Sequence, residues 1–196
     1  MKVRKVLAAA MVGLIAVVAG CGGGKPTPKT TVEVSFPWDD YCNKYSNIEG
    51  GLAVCKCNFA MDIEEAQIAR EESVADARSE LARLLEVKVM TMVKRYKNRT
   101  VAGKKRYMGS TFEEVAKQVA KQYLRGTRVI NSKTFRADDG RYVVCAVVAL
   151  QPHTVKQMIK EMAQKMELSP RDEDILYQEF KAYKAQQELE KEMQKY

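Results

Sequence analysis

The sequence is poor in residues that do chemistry and in apolar runs long enough to cross a membrane. One histidine, His153, stands among 196 residues. A lone imidazole next to Pro152 and at the expected start of a helix reads as a capping or surface group. No Gly-x-Ser-x-Gly elbow occurs, and no glycine motif that would cradle phosphate. The acid pairs Glu64-Glu65, Glu71-Glu72 and Asp138-Asp139 are sequence neighbours. On a helix, neighbours point about 100° apart, so these do not face each other as an acid and base would. There is no Cys-x-x-Cys. The sequence is therefore expected to be no enzyme and to hold no cofactor and no metal. The longest apolar run, Val6 to Val18, falls short of the roughly 20 residues a spanning helix needs.

That run does fit a secretory signal. Lys2, Arg4 and Lys5 precede it, and Val18-Ala19-Gly20-Cys21 follows it. A branched aliphatic, two small residues and a cysteine resemble the bacterial lipobox. Small residues leave the backbone open to the peptidase, and the Cys21 thiol is the atom that takes diacylglycerol. Residues 1–20 thus read as a lipoprotein signal peptide, with a diacylglycerol and an N-acyl chain expected on Cys21. Several acyl chains make stable membrane anchoring, which one chain alone does not. Gly22 stands where an aspartate would favour inner-membrane retention in enteric-type bacteria, so the expected location is the outer membrane, facing the periplasm. Gly22 to Thr31, with its glycines and Pro26 and Pro28, has nothing to pack and serves as a tether.

Lys2, Arg4 and Lys5 are three of the 33 cations, and the 25 acids all lie beyond the signal. The mature chain keeps a mild positive excess, which together with export argues against nucleic acid as a partner. Four further cysteines, Cys42, Cys55, Cys57 and Cys145, are an even count with three connectivities. An oxidising compartment permits bridges. Cys55 and Cys57 share a strand face, so a bridge from Cys42 to either one is easier than a bridge between them. Free buried thiols remain open, and a metal site is the sharper alternative.

Apolar periodicity orders the rest. Val32 to Phe36 alternates as a short strand or extended chain, and Pro37-Trp38-Asp39-Asp40 breaks it. Ile48 to Cys57 reads as the first good strand, with Gly50 and Gly51 marking a bulge or a close approach. Asp62 and Glu65 form a capping-box-like pair opening the longest helix, which runs to about Tyr96. Its buried stripe opens on Ile63 and goes from small residues (Ala66, Ala69, Ser73, Ala77) to large ones (Leu81, Leu84, Leu85), as suits a helix lying close on a sheet at one end. Ser110 or Thr111 caps a second helix, with Phe112, Val115, Ala116, Val119, Tyr123 and Leu124 in register and Gly126 ending it. Arg128–Arg136 and Arg141–Leu150 make a hairpin about Asp138-Asp139-Gly140. The second of these is apolar on both faces, as a central strand covered on both sides would be. Pro152 starts a third helix, and Ser169-Pro170 a fourth. The fourth carries a thin stripe of Ala182, Ala185, Leu189, Met193 and Tyr196.

Gly51-Leu52-Ala53-Val54, Ala69-Arg70, Ala75-x-Ala77-Arg78, Glu80-Leu81-Ala82, Leu124-x-Gly126-x-Arg128-Val129 and Gly140-Arg141-Tyr142-Val143-Val144 resemble the LPP-twenty lipoprotein family. These are bacterial envelope lipoproteins that include a flagellar basal-disk component. The resemblance implies a compact α/β unit, a small antiparallel sheet with helices packed on it, and no catalytic residues to carry over. The cysteine set and the long helices after Leu150 depart from the pattern. The expected fold is α/β in the α+β sense. It has a mostly antiparallel sheet of three to four strands and a C-terminal helical extension. The expected division is signal peptide 1–20, lipidated cysteine and tether 21–45, α/β domain 46–151 and extension 152–196.

Three groups remain as candidate surfaces. Lys94, Arg95, Lys97, Arg99, Lys104, Lys105 and Arg106 form a basic segment without an acid, able to meet anionic lipid or glycan; the plainer alternative is a solvated loop. Met158, Met162 and Met166 share one helix face and read as core. Trp38, Tyr41 and Tyr45 dock the tether or sit at a bilayer interface. The expected function is structural: an anchored envelope protein that self-associates or joins a larger envelope machine, flagellum-associated by the family resemblance. The alternative is a binding module acting through the basic segment.

Overall fold

A computed structural model describes residues 36–46, 48–100 and 109–193, with side chains as far as 182. The signal sequence, Cys21, the tether and residues 32–35 of the first candidate strand lie outside the described residues, as do Lys104, Lys105 and Arg106. The elements run α1 (Pro37–Tyr45), β1 (Leu52–Ala60), α2 (Ala66–Thr100), α3 (Gly109–Leu124), β2 (Arg128–Arg136), β3 (Tyr142–Leu150), α4 (Pro152–Lys165) and α5 (Pro170–Met193). This is an α+β fold built on one three-stranded antiparallel sheet of order β1-β3-β2.

β3 is the central strand, and from Val143 to Leu150 it is buried throughout. Val143, Cys145, Val147 and Ala149 face α1 together with Tyr41 and Ala53. Val144 and Val148 face α2, packing on Ala69, Ala77 and Leu81. A strand with no solvent side has no use for polar residues, which explains the unbroken apolar run.

α2 lies close on the sheet where its side chains are small. Ser73 is fully buried, its Oγ 2.7 Å from the Val144 carbonyl of β3 and 2.8 Å from the Ala69 carbonyl of its own helix. At 35 residues α2 is about 52 Å long, whereas a nine-residue strand spans about 30 Å. The helix therefore outruns the sheet. Its far part, Leu85, Val89, Met92, Val93 and Tyr96, is covered by Phe112, Ala116 and Val119 of α3, Met158 and Met162 of α4, and Leu176 and Phe180 of α5. Residues 152–182 thus share the main core, because the overhang of α2 would otherwise leave a large apolar face in water.

Several boundaries differ from expectation. Pro37 does not merely break a strand. It sits in the first turn of α1, where its missing N–H costs nothing, and the Asp39 carboxylate accepts the Phe36 N–H at 3.1 Å. Residues assigned to the tether are therefore a helix on the sheet. β1 begins at Leu52, since Ile48–Gly51 forms a turn with Gly50 at φ 69°. A Cβ on Gly51 would come within 2.8 Å of the Leu150 carbonyl, which is the close approach the two glycines foretell. Asp62 caps but does not begin α2. Its Oδ1 accepts the N–H groups of Glu64 and Glu65 at 2.9 and 2.8 Å, and Glu65 accepts the Met61 N–H at 2.9 Å. In α5, Leu176 and Phe180 carry the packing while Ala182 is exposed; the side chains of Ala185, Leu189, Met193 and Tyr196 lie outside those described.

The start of α5 is as the Ser169-Pro170 pair predicts. Asp172 donates its N–H to Ser169 Oγ at 3.3 Å, and its carboxylate accepts the Ser169 hydroxyl at 2.6 Å. That bond, first, and a second from Tyr96 hold the Asp172 carboxyl below the ordinary aspartate range against some desolvation. Burial, with the bond to Asp172 after it, pushes Tyr96 up to about 12.

Candidate functional site

Cys42, Cys55, Cys57 and Cys145 come together on the α1 face of the sheet. Cys55 and Cys57, two apart on β1, point to the same face, and Cys145 is directly opposite Cys57 in the β1–β3 register. α1 brings in Cys42. Two disulfides result, Cys42–Cys55 and Cys57–Cys145, with Cα–Cα distances of 5.2 and 4.0 Å. Of the alternatives open in the sequence, bridging is what the fold adopts, and Cys42 takes Cys55. Cys42 Sγ nevertheless lies 3.5 Å from Cys57 Sγ. Cys145 is fully buried, and the other three are half-buried. The sulfurs of Cys42, Cys55 and Cys57 all lie within 4.8 Å of one another. Thiolates at that spacing suit a soft metal ion, but a disulfide sulfur is no thiolate, so a metal would require both bonds to be reduced first.

Aromatic rings surround the cluster. Trp38 stacks on Phe36 at 4.6 Å and meets the edges of Phe59 and Phe135 at 6.4 Å each. Tyr41 packs on Phe135 at 5.6 Å and on Tyr45 at 5.0 Å. Of the two roles open to these residues, docking α1 on the sheet is the one their contacts serve. Burial, with Tyr45 beside it, raises the Tyr41 phenol above its usual value, and its hydroxyl has no hydrogen-bond partner among the described residues.

The described part of the basic segment is the last turns of α2, and its acids arrive from elsewhere in the fold. Lys97 pairs with Glu113 of α3 at 2.6 Å, and Arg99 with Glu179 of α5 at 2.7 Å. Arg95 lies 3.9 Å from the same Glu179, which is almost fully buried. The Lys97 ammonium lowers the Glu113 carboxyl chiefly by hydrogen bonding to it. Lys94 is exposed. A sequence window sees seven cations and no acid because the acids are supplied by two other helices. Lys88, buried about two turns before Arg95, sits 4.2 Å from the centroid of the Phe180 ring.

Met158, Met162 and Met166 are buried in the main core, as helical spacing predicts. His153 is exposed in the first turn of α4. A cavity of about 410 Å³ opens between α2 and α3, lined by Arg83, Glu86, Val89, Lys117, Lys121 and Leu124. The feature missed in the sequence is apolar and exposed. Phe59, Met61, Ile63 and Ile68 are each more than half accessible, strung along the end of β1 and the entry to α2. In the sequence they are four large apolar residues between polar ones, and helical spacing alone places Ile63 in the buried stripe of α2. It lies instead in the capping turn, which breaks the helical phase.

The sheet, its covering helices and the strand order define a small α+β domain. Residues 58–149 match the LPP20 lipoprotein family, the one whose motifs the sequence resembles. That stretch runs from within β1 through α2, α3 and β2 to Ala149 of β3. Cys42, Cys55 and Cys57, with α1, α4 and α5, lie outside the matched stretch, while Cys145 lies inside it. No curated protein and no solved structure matches the chain.

Proposed function

We propose that this chain is a non-catalytic structural component of the bacterial envelope. Lipid on Cys21 holds it at the outer membrane, facing the periplasm, and it assembles with itself or with a larger envelope machine. The observation that carries this reading is the β1 side of the sheet. β1 and β2 are its outer strands, and an unpaired strand edge is a template for another chain unless something covers it. Next to the β1 edge, Phe59, Met61, Ile63 and Ile68 expose apolar side chains, each more than half accessible. The lipobox and the lipoprotein family match support the anchored location. The family resemblance to a flagellar basal-disk component makes a flagellar machine one candidate setting. Nucleic acid has no place in this reading.

The test is the size of the lipidated protein extracted from native envelopes in mild detergent. A large complex that falls apart in a Phe59→Lys, Ile63→Lys variant supports assembly through this side. A monomer at high protein concentration overturns it, and would direct attention to anionic lipid or glycan and the cations from Lys94 onward.

A further inference from the structure

We propose that the four cysteines form a single thiol–disulfide exchange site, in which the half-buried Cys42–Cys55 bond receives an external dithiol and passes the exchange inward to Cys57–Cys145. The geometry is specific. Cys145 is sealed at the centre of the sheet, so no external thiol reaches its sulfur. Cys42 Sγ, by contrast, touches Cys57 Sγ at 3.5 Å while bonded to Cys55. Disulfides exchange by attack of a thiolate on a neighbouring sulfur, so the decisive requirement is access. One sulfur has that access to both bonds. Cys42 is also the only one of the four carried by a helix rather than by the sheet, so it can shift partner without breaking a strand ladder.

Bonds and electrons balance as follows. A thiolate of the external dithiol attacks Cys55 Sγ and bonds to it. The Cys42–Cys55 bond breaks, and Cys42 leaves as a thiolate. Cys42 then attacks Cys57 Sγ, forming Cys42–Cys57, and Cys145 leaves with the electron pair of the broken Cys57–Cys145 bond. The second thiol of the reagent attacks its own sulfur on Cys55 and releases Cys55. The dithiol is oxidised to its disulfide by two electrons, its two protons end on Cys55 and Cys145, and the protein keeps one bond, Cys42–Cys57. The fitting partner is an envelope oxidoreductase with a paired-thiol site, and the reverse sequence restores both bridges. Each state keeps α1 tied to β1, but at different rungs of the strand.

The test uses the oxidised mature chain and dithiothreitol as the dithiol. After one equivalent, acid and a maleimide trap the products, and peptide mapping locates each bond. The expected species carries two maleimide mass shifts, on Cys55 and Cys145, and a Cys42–Cys57 bond. In Cys55→Ser, without any reductant, Cys42–Cys57 and Cys57–Cys145 should coexist in a ratio that does not change on dilution. Joint labelling of Cys42 and Cys55 with Cys57–Cys145 intact overturns the proposal. So does loss of Cys57–Cys145 before Cys42–Cys55, since the inner bond would then be reached directly.

Discussion

The two faces of the sheet are held by different means. On one lies α2, whose overhanging part shares a continuous core of some seventeen buried side chains with three further helices, and hydrophobic burial suffices. On the other, a single nine-residue helix, α1, covers the strands. A helix that short is marginal in water without tertiary support, and this one brings only Tyr41 fully into the core. Two disulfides and a ring cluster do the rest. Where apolar area is small, the chain relies on covalent bonds that restrict the unfolded state. The same sulfurs make the thin face the chemically responsive one.

The contrast can be broken from either side. Phe112→Ala removes a fully buried ring from the thick side and is expected to cost about 4 kcal/mol, read as a lower midpoint for the whole denaturation curve. Replacing Cys42 and Cys55 by alanine opens a loop of 13-residue separation and should cost about 3 kcal/mol. Its signature is local: hydrogen exchange should quicken in α1 and leave α2 to α5 protected, and uniform loss of protection would refute the division. Glu179→Ala leaves Arg95 and Arg99 without their buried carboxylate. With Arg99 largely exposed, about 2 kcal/mol is expected, measurable by thermal melting.

Two tyrosines sharpen the comparison at smaller scale. Tyr96, on the thick side, donates to Asp172 and has its pKa raised to about 12. A phenol raised above its unfolded value of 10.0 stabilises the fold fully below that pH and loses its contribution as the pH climbs towards 12. The loss is on the order of 2 kcal/mol. The stability difference between wild type and Tyr96→Phe should therefore shrink across that window; a constant difference would show that the raised value is wrong. On the thin side, the Tyr41 hydroxyl is buried with no described partner, so Tyr41→Phe should be neutral or stabilising by up to about 1 kcal/mol. A clear loss of stability would mean that the hydroxyl is satisfied after all.

Much of the thick side was legible in advance. The gradient from Ala69 to Leu85, the doubly apolar β3 and the Ser169-Pro170 start each state a local rule that the fold obeys. α1 is hidden in the sequence because Pro37 is a breaker behind it and a helix starter ahead, and only the Asp39 cap distinguishes the two. The basic segment was half legible: its charges were plain, but Glu113 and Glu179, which meet three of them, are 16 and 80 residues from Lys97 and Arg99.

By itself, the sequence determined the order and kind of the elements from β1 onward, the central place of β3 and the family resemblance, since periodicity, caps and turns act over a few residues. Only the tertiary structure decided which cysteines pair, which cations meet acids and which apolar residues stay outside. Those are matters of distance between segments far apart in the chain, and local pattern carries no information about them.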